Sequence, residues 1–256
     1  MVTQQQKLPD PPPPTEVIYP ESDGKPMADN TKQFRWIVVI EQNLEGVFAD
    51  RADVFVAGDL LWYPVEGNTT LSTAPDTMVV FGRPKGDRGS YRQWQEDNIP
   101  PQVVFEVLSP SNTRREMDRK LLFYQQYGVE EYYLYDPDRI QLSGWCRSDD
   151  GLLDRIETID GWVSPRLGIR FELGAELQLY QPNGTPFFSF AEINQQWQQA
   201  EQRAEQERQR AEQEHQRAEQ ERQRAEQAEQ QALQERQRSQ QMADRLRSLG
   251  IDPNTL

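Results

Sequence analysis

The last quarter of the chain consists almost entirely of four residue types, and this restricts what it can fold into. From Gln195 onward the sequence is nearly all Ala, Glu, Gln and Arg, in a repeat close to RAEQERQ. These residues have high helix propensity, and Glu and Arg recur at spacings that let them pair on a helix surface. We therefore predict a long charged helix within residues 191–256, helical from about Ala191 to Ser248 and ~85 Å long at ~1.5 Å per residue.

The same repeat bears on whether this helix has a partner. Alanines recur every seven residues from Ala204 to Ala225, at one heptad position, whereas a coiled coil requires large apolar residues at two. A solvated helical spacer is therefore the favoured interpretation. Self-association as a coiled coil, or docking of a partner protein, is the alternative, because Met242 and Leu246 begin a small apolar patch near the helix end.

The negative charge of the chain lies mainly before the repeat. Residues 1–195 carry 18 Lys and Arg against 30 Asp and Glu, a net charge of −12, whereas residues 196–256 carry 10 against 12. Binding DNA by neutralising its phosphates requires cations, so this balance argues against a protein that coats DNA. It does not exclude an enzyme, whose site needs carboxylates for a metal and only local positive charge for its substrate.

Histidine and cysteine are each represented by one residue. His215 lies within the repeat and Cys146 is the one thiol, which excludes Ser–His–Asp and Cys–His hydrolysis, zinc–histidine sites and an intramolecular disulfide. No apolar run approaches the roughly 20 residues that span a membrane, and the N-terminus does not resemble a signal peptide. We expect a cytoplasmic protein in which any catalysis rests on carboxylates, lysine and metal.

Between a proline-rich arm and the repeat, helical and extended patterns alternate. Residues 1–30 are predicted to be an irregular arm, and residues 31–190 to form one domain. Apolar spacings of three and four begin a helix at Lys32, and Thr113 with Glu116 forms a capping box that begins a second. Short apolar runs predict the strands, among them Val103–Leu108, and residues 82–101 are predicted to be a polar connection. The predicted fold class is α/β, a mixed sheet flanked by helices.

Three charged residues in this domain are candidates for chemistry. Glu106 interrupts the apolar run at 103–108, where an ionised side chain is costly unless it is paired or bound to metal. Asp76 follows Pro75 directly before another apolar run, where it either binds a metal or caps a turn. Lys120 lies on the second helix, where it either reaches the strand ends to act in catalysis or pairs with Glu116 on the surface.

Ordered motifs connect these residues to a known family. They are APDTMVV at 74–80, PPQVVFEVLSPS at 100–111, Lys120 with Tyr124, and YGVEEYYLYDP at 127–137. Together they resemble the Uma-type family of bacterial restriction-endonuclease-like proteins, from about Tyr19 to Phe190. The resemblance implies the PD-(D/E)XK nuclease fold and hydrolysis of DNA phosphodiester bonds that depends on Mg²⁺ or Mn²⁺.

The resemblance also implies roles for individual residues. Asp76 and Glu106 are the two metal carboxylates, and the backbone carbonyl of Val107 is a further ligand. The superfamily motif places a lysine two residues after the glutamate, where this chain has Leu108, so Lys120 replaces it from the following helix. Asp76, Glu106 and Lys120 are then the catalytic residues. A further acid is expected from the N-terminal region, and the sequence does not choose among Glu21, Glu41 and Glu45.

Two functions follow as hypotheses. The first is a metal-dependent DNA endonuclease, and the alternative is a weak or inactive nuclease fold that serves as an interaction module through its helical tail. The connection at residues 82–101 and the second helix bear on the first, because their basic residues provide local positive charge near the proposed site. Those of the connection either contact phosphate or are balanced by neighbouring acids. The basic residues are Arg83, Lys85, Arg88, Arg92, Arg114, Arg115 and Arg119.

Overall fold

The computed structural model describes residues 17–24 and 27–248. Residues 1–16 and 25–26 of the predicted proline-rich arm therefore lie outside the described part of the chain. The chain divides into two compact units, and the boundary between them falls after Phe190.

The described residues form three α-helices and ten strands. The helices are α1 (Thr31–Val47), α2 (Arg114–Gln126) and α3 (Phe190–Ser248). The strands are β1 (Val54–Ala57), β2 (Trp62–Tyr63), β3 (Thr77–Phe81), β4 (Tyr91–Arg92), β5 (Val103–Val107), β6 (Glu131–Asp136), β7 (Gln141–Arg147), β8 (Leu153–Arg155), β9 (Arg170–Leu173) and β10 (Leu177–Tyr180).

A mixed six-stranded sheet forms the centre of the first unit, in the order β1-β3-β5-β6-β7-β8. Only β5 and β6 run parallel among its neighbouring strands, because α2 connects them and returns the chain to the same end of the sheet. Two small pairs stand outside this sheet, β2 with β4 and β9 with β10. The mixed sheet with flanking helices confirms the predicted fold class.

Helix α1 covers one face of this sheet. Asn30 caps its first turn, and the Asn30 side chain accepts a hydrogen bond from the Gln33 amide at 2.9 Å. Buried residues recur along it at helical spacing, among them Ile37, Ile40 and Leu44, and they share one apolar cluster with alternate residues of β5. The β9–β10 hairpin contributes to the same cluster, so a helix and a hairpin together close this face.

Helix α2 packs on the opposite face and begins where the capping box predicts. The Thr113 side chain accepts a hydrogen bond from the Glu116 amide at 3.2 Å. Because side chains alternate along a strand, Val104 and Glu106 of β5 point toward α2, whereas Phe105 points toward α1. This alternation places a carboxylate of the central strand directly under α2.

The polar connection at residues 82–101 contains more structure than the sequence predicts. It includes β4 and a short 3₁₀ helix, Gln93–Gln95. Strand β4 pairs in parallel with β2, and the bend at Gly58 and Asp59 directs β2 out of the main sheet. Strand β4, only two residues long, leaves no periodic signal in the sequence, since tertiary packing stabilises it.

Helix α3 runs without interruption from Phe190 to Ser248. Its described side chains from Ala191 onward are exposed, apart from the half-buried Ile193 and Ala243. Contacts between successive turns include the Arg222–Glu226 ion pair at 3.4 Å. Within the part of the chain that the structure describes, no helix is both long enough and apolar enough to cross a membrane.

Candidate functional site

Asp76 lies at the start of β3, and a hydrogen bond from the neighbouring strand β5 fixes its side chain. Only 9% of the residue is exposed, and its Oδ2 accepts a hydrogen bond from the Val107 amide at 2.6 Å. Burial raises the pKa of Asp76 well above its ordinary range, and the nearby charge of Glu106 raises it further. Asp76 is therefore a buried carboxylate beside a second carboxylate, and not a solvated turn residue.

Glu106 is the fourth residue of β5, and its carboxylate accepts hydrogen bonds from two side chains of α2. It is 3% exposed, and both carboxylate oxygens lie 2.7 Å from Lys120 Nζ. The Tyr124 hydroxyl donates to its Oε1. A buried carboxylate requires such partners, because an unpaired charge in the protein interior is strongly unfavourable.

Lys120 reaches the sheet from α2, as its catalytic interpretation requires. Its ammonium group binds Glu106 and lies 3.4 Å from the backbone carbonyl of Ala74. Burial disfavours the ammonium ion, but the carboxylates of Glu106 and Asp76 outweigh it and raise the pKa of Lys120. The predicted alternative, a surface pair with Glu116, is not the contact that the structure records for this ammonium group.

Asp59 is a further acid at this site that sequence reasoning did not select. Its backbone has a φ of +48°, a conformation that few residues other than glycine adopt, and its amide donates to the Pro75 carbonyl at 3.1 Å. Burial raises the pKa of Asp59, and so do the charges of Asp23 and Glu106. Nothing in the sequence indicated where the Asp59 side chain would point.

None of the three N-terminal candidates for a further acid is among the described residues that line the cleft with Asp76, but Glu41 lies beside Gly58, next to the Asp76 backbone. Glu45 pairs with Lys85 at 2.5 Å, and Glu41 accepts a hydrogen bond from the Gln42 side chain at 2.6 Å. The Glu21 carboxylate lies against Gly89. Asp59, in contrast, lines the same cleft as Asp76 and Lys120.

The cleft that these residues line has a volume of about 430 Å³ and is strongly acidic. Lys120 is the single basic side chain among its described lining residues. The carboxylates of the lining come from the N-terminal segment, from the bend after β1, from the start of β3 and from α2: Asp23, Asp29, Asp59, Asp76 and Glu116. A phosphate group entering such a cleft meets net negative charge unless cations accompany it.

The basic residues of the 82–101 connection are largely engaged with acids. Arg83 and Arg88 both bind Glu96, at 2.8 and 2.7 Å, and Arg83 also binds Asp97. Lys85 binds Glu45, outside this connection. These ion pairs favour the interpretation that the basic residues of the loop are balanced by neighbouring acids over the interpretation that they contact phosphate.

The residues present fit a hard divalent cation. Asp76 and Glu106 supply buried carboxylates from neighbouring strands, and the charge of Glu106 makes Asp76 costlier to ionise. The Val107 carbonyl accepts a hydrogen bond from the Gln33 side chain at 2.9 Å and retains a second lone pair. No cluster of three or more His, Cys, Asp or Glu with metal-site spacing occurs among the described residues. Mg²⁺ does not require one, because it commonly binds through one or two carboxylates, water and substrate phosphates.

Comparison with known proteins places the chain in a family. A family model, Uma2, described as "Putative restriction endonuclease", matches residues 25–177, more than half of the chain. The chain belongs to the Uma2 family. This confirms the resemblance found in the ordered motifs, and it identifies the first unit of this Uma2 protein as nuclease-like.

The structural and curated comparisons add less. A solved structure described as a "putative nuclease belonging to DUF820" from Anabaena variabilis is similar to the Uma2 chain, with 17% sequence identity and a TM-score of 0.41. The match covers 56% of this chain and 79% of that one. No curated protein matched the chain.

Proposed function

We propose that this Uma2 protein is a metal-dependent endonuclease that hydrolyses phosphodiester bonds of DNA. The observation that carries the proposal is the meeting of Asp76, Glu106 and Lys120, from β3, β5 and α2, on one face of the sheet. A pair of buried carboxylates, one of which lines a cleft together with the lysine, suits the hydrolysis of a phosphodiester.

Asp76, Glu106 and the Val107 carbonyl would hold Mg²⁺ or Mn²⁺. When bound, the cation supplies positive charge for the phosphate oxygens and lowers the pKa of bound water. The acidic lining explains why a cation would be needed, because without one the negative charge of the cleft repels the phosphates of the substrate. Asp76 keeps its orientation through the Val107 amide, and Glu106 through its partners on α2.

Lys120 is the residue proposed to act on the reacting groups. Its Nζ carries three N–H donors and a positive charge at the cleft wall. It orients the attacking water by hydrogen bonding and stabilises the negative charge that develops on the phosphate. The contact with Glu106 keeps the ammonium group in place before substrate arrives.

The test is nicking of supercoiled plasmid with Mg²⁺ or Mn²⁺ by the wild type and by Asp76→Asn, Glu106→Gln and Lys120→Met. Each substitution should lower the rate by about 100-fold or more, the usual loss when a group that stabilises transition-state charge is removed. Lys85→Met is the matched control for Lys120→Met, since Lys85 is also paired with a glutamate but lies outside the cleft. Equal residual activity in all the variants would show that any nicking comes from a contaminant.

The alternative function, an interaction module, draws support from one observation. Trp197 and Met242 on α3 are large apolar side chains that are 76% and 68% exposed. Self-association or a partner protein that uses this helix accounts for them. Sedimentation of the wild type and of Trp197→Gln with Met242→Gln tests it: an unchanged, concentration-independent mass for both excludes self-association through these residues.

A further inference from the structure

Tyr124 bonds to the same carboxylate as Lys120 but has no role so far. It lies four residues after Lys120 on α2, so both side chains emerge from one face of the helix. The side chain is fully buried, and its hydroxyl donates to Glu106 Oε1. Glu106 is therefore fixed by a charged donor and by a neutral donor from adjacent turns.

The surroundings of Tyr124 hold its ring in one position. Trp62 stacks parallel to it with ring centroids 6.4 Å apart, and Tyr132 packs against it at 5.0 Å. The phenol group is thus a rigid donor.

The two donors on Glu106 differ in what they can do during a reaction. Lys120 has a long flexible side chain, and its ammonium group is also the group proposed to hydrogen bond to the attacking water and to the phosphate. Tyr124 is rigid and uncharged, and it does not line the cleft. It can therefore keep its hydrogen bond to Glu106 while Lys120 interacts with the substrate. A neutral donor also leaves the carboxylate negative charge intact for a cation.

We propose that Tyr124 is a positioning residue that orients the Glu106 carboxylate for the divalent cation. It acts through Glu106 and does not contact substrate. The proposal rests on the proposed function insofar as it requires a cation at Asp76 and Glu106, but its main readout is metal binding and not DNA cleavage.

Tyr132 provides a matched control. It is also fully buried, it lies in the same apolar cluster, and its hydroxyl is without a hydrogen-bond partner in the described structure. Tyr132→Phe therefore removes the same atom from the same surroundings as Tyr124→Phe, without breaking a hydrogen bond. Loss of a buried hydroxyl that lacks a partner is expected to leave stability unchanged or to raise it.

The experiment is calorimetric titration of the full-length wild type, Tyr124→Phe and Tyr132→Phe with Mn²⁺. Tyr124→Phe should bind Mn²⁺ about 10- to 100-fold more weakly, the usual effect of removing a hydrogen bond to a metal ligand, and Tyr132→Phe should match the wild type. In the nicking assay, Tyr124→Phe should need more Mn²⁺ for half-maximal rate and recover part of its rate at saturation. A purely structural tyrosine would lower the melting temperature and leave the Mn²⁺ affinity unchanged.

The outcomes separate this proposal from the function on which it rests. Wild-type Mn²⁺ affinity in Tyr124→Phe overturns the positioning role alone, whether or not the protein cleaves DNA. Absence of Mn²⁺ binding by the wild type overturns both. If Tyr124→Phe does not fold, Trp62→Phe decides, because it removes the indole that stacks on the Tyr124 ring and holds it in position: weaker Mn²⁺ binding supports the proposal, and unchanged binding overturns it.

Discussion

At the scale of single residues, the protein contains a second buried carboxylate, Glu131, that serves a different purpose from Glu106. It is 1% exposed, at the start of β6, and accepts hydrogen bonds from the hydroxyls of Tyr133 and Ser164 and from the Arg166 amide. These donors connect β6 to the loop before β9. Glu131 forms no salt bridge with the described residues and does not line the acidic cleft, which is consistent with a structural role.

Glu131 should make stability depend on pH. Burial raises its pKa above the ordinary 4.5 and outweighs the three hydrogen bonds, which favour the ionised form. The folded state then holds the proton more tightly than the unfolded state. This contribution to the free energy of unfolding is therefore largest below pH 4.5 and falls as the pH rises through the raised pKa.

The measurement is urea unfolding of the wild type and of Glu131→Gln at a series of pH values, from below 4.5 up to neutral pH. At neutral pH the substitution should cost about 1–3 kcal/mol, because the amide nitrogen cannot accept the donors that the carboxylate accepts. The wild type should lose its advantage over Glu131→Gln as the pH rises. A difference that grows with pH would mean that the folded-state pKa of Glu131 is lowered.

The residues of the site were predictable from the sequence to unequal degrees. Glu106 could be selected by its burial, since it interrupts an apolar run. Asp76 and Lys120 needed the order of the motifs, because each also had an ordinary surface interpretation. Asp59 could not be selected, since its approach to Asp76 depends on one left-handed backbone conformation and on the hydrogen bond to the Pro75 carbonyl.

At the scale of elements, α2 determines whether the site assembles. It carries Lys120 and Tyr124, and its two ends are fixed by Thr113 and by Gly128. Gly128 has a φ of +94°, and a Cβ there would lie 3.1 Å from Pro100 Cγ. The position therefore requires glycine for its backbone conformation and for the space.

Gly128→Ala should destabilise the protein by about 1–3 kcal/mol, the cost of a residue held in a sparsely populated conformation. Gly184→Ala is the control, because Gly184 has a φ of +83° with open space around a Cβ. In thermal unfolding, Gly128→Ala should lose more stability than Gly184→Ala, because only its new Cβ would press against Pro100. Equal losses would show that the backbone conformation alone matters.

Elements with a local apolar pattern or a capping signal were predictable, and elements without one were not. The boundaries of α2 and the position of β5 follow from the capping box and from the apolar run, which are local signals. The pairing of β2 with β4 depends on residues about 30 positions apart, and β10 is identified by its hairpin with β9. The information for these strands lies in tertiary packing and not in local periodicity.

At the scale of the whole molecule, the net charge restricts how the DNA substrate of the proposed function would approach. The chain carries a net charge of −14, and its candidate cleft concentrates carboxylates. The basic residues of the 82–101 connection offer little compensation, since Arg83, Lys85 and Arg88 are paired with acids. Affinity for DNA should therefore depend on divalent cations in the cleft.

Fluorescence anisotropy with labelled DNA tests this dependence. Binding in Ca²⁺ should be about 10-fold or more tighter than in EDTA at equal ionic strength, because bound cations reverse the local repulsion. Asp23→Asn should tighten binding in EDTA more than Asp149→Asn, which changes the net charge equally at an exposed turn outside the cleft lining. Equal affinity with and without divalent cations would require a different DNA-binding surface.

The hydrogen bond from the Val107 amide to Asp76 also makes one backbone proton a spectroscopic reporter. A short bond from an amide to a carboxylate, 2.6 Å here, moves the amide proton resonance downfield. Any event that withdraws electron density from Asp76 changes that resonance, with or without substrate or turnover. The state of the site can therefore be followed at a single backbone position in solution, even in variants that have lost all activity.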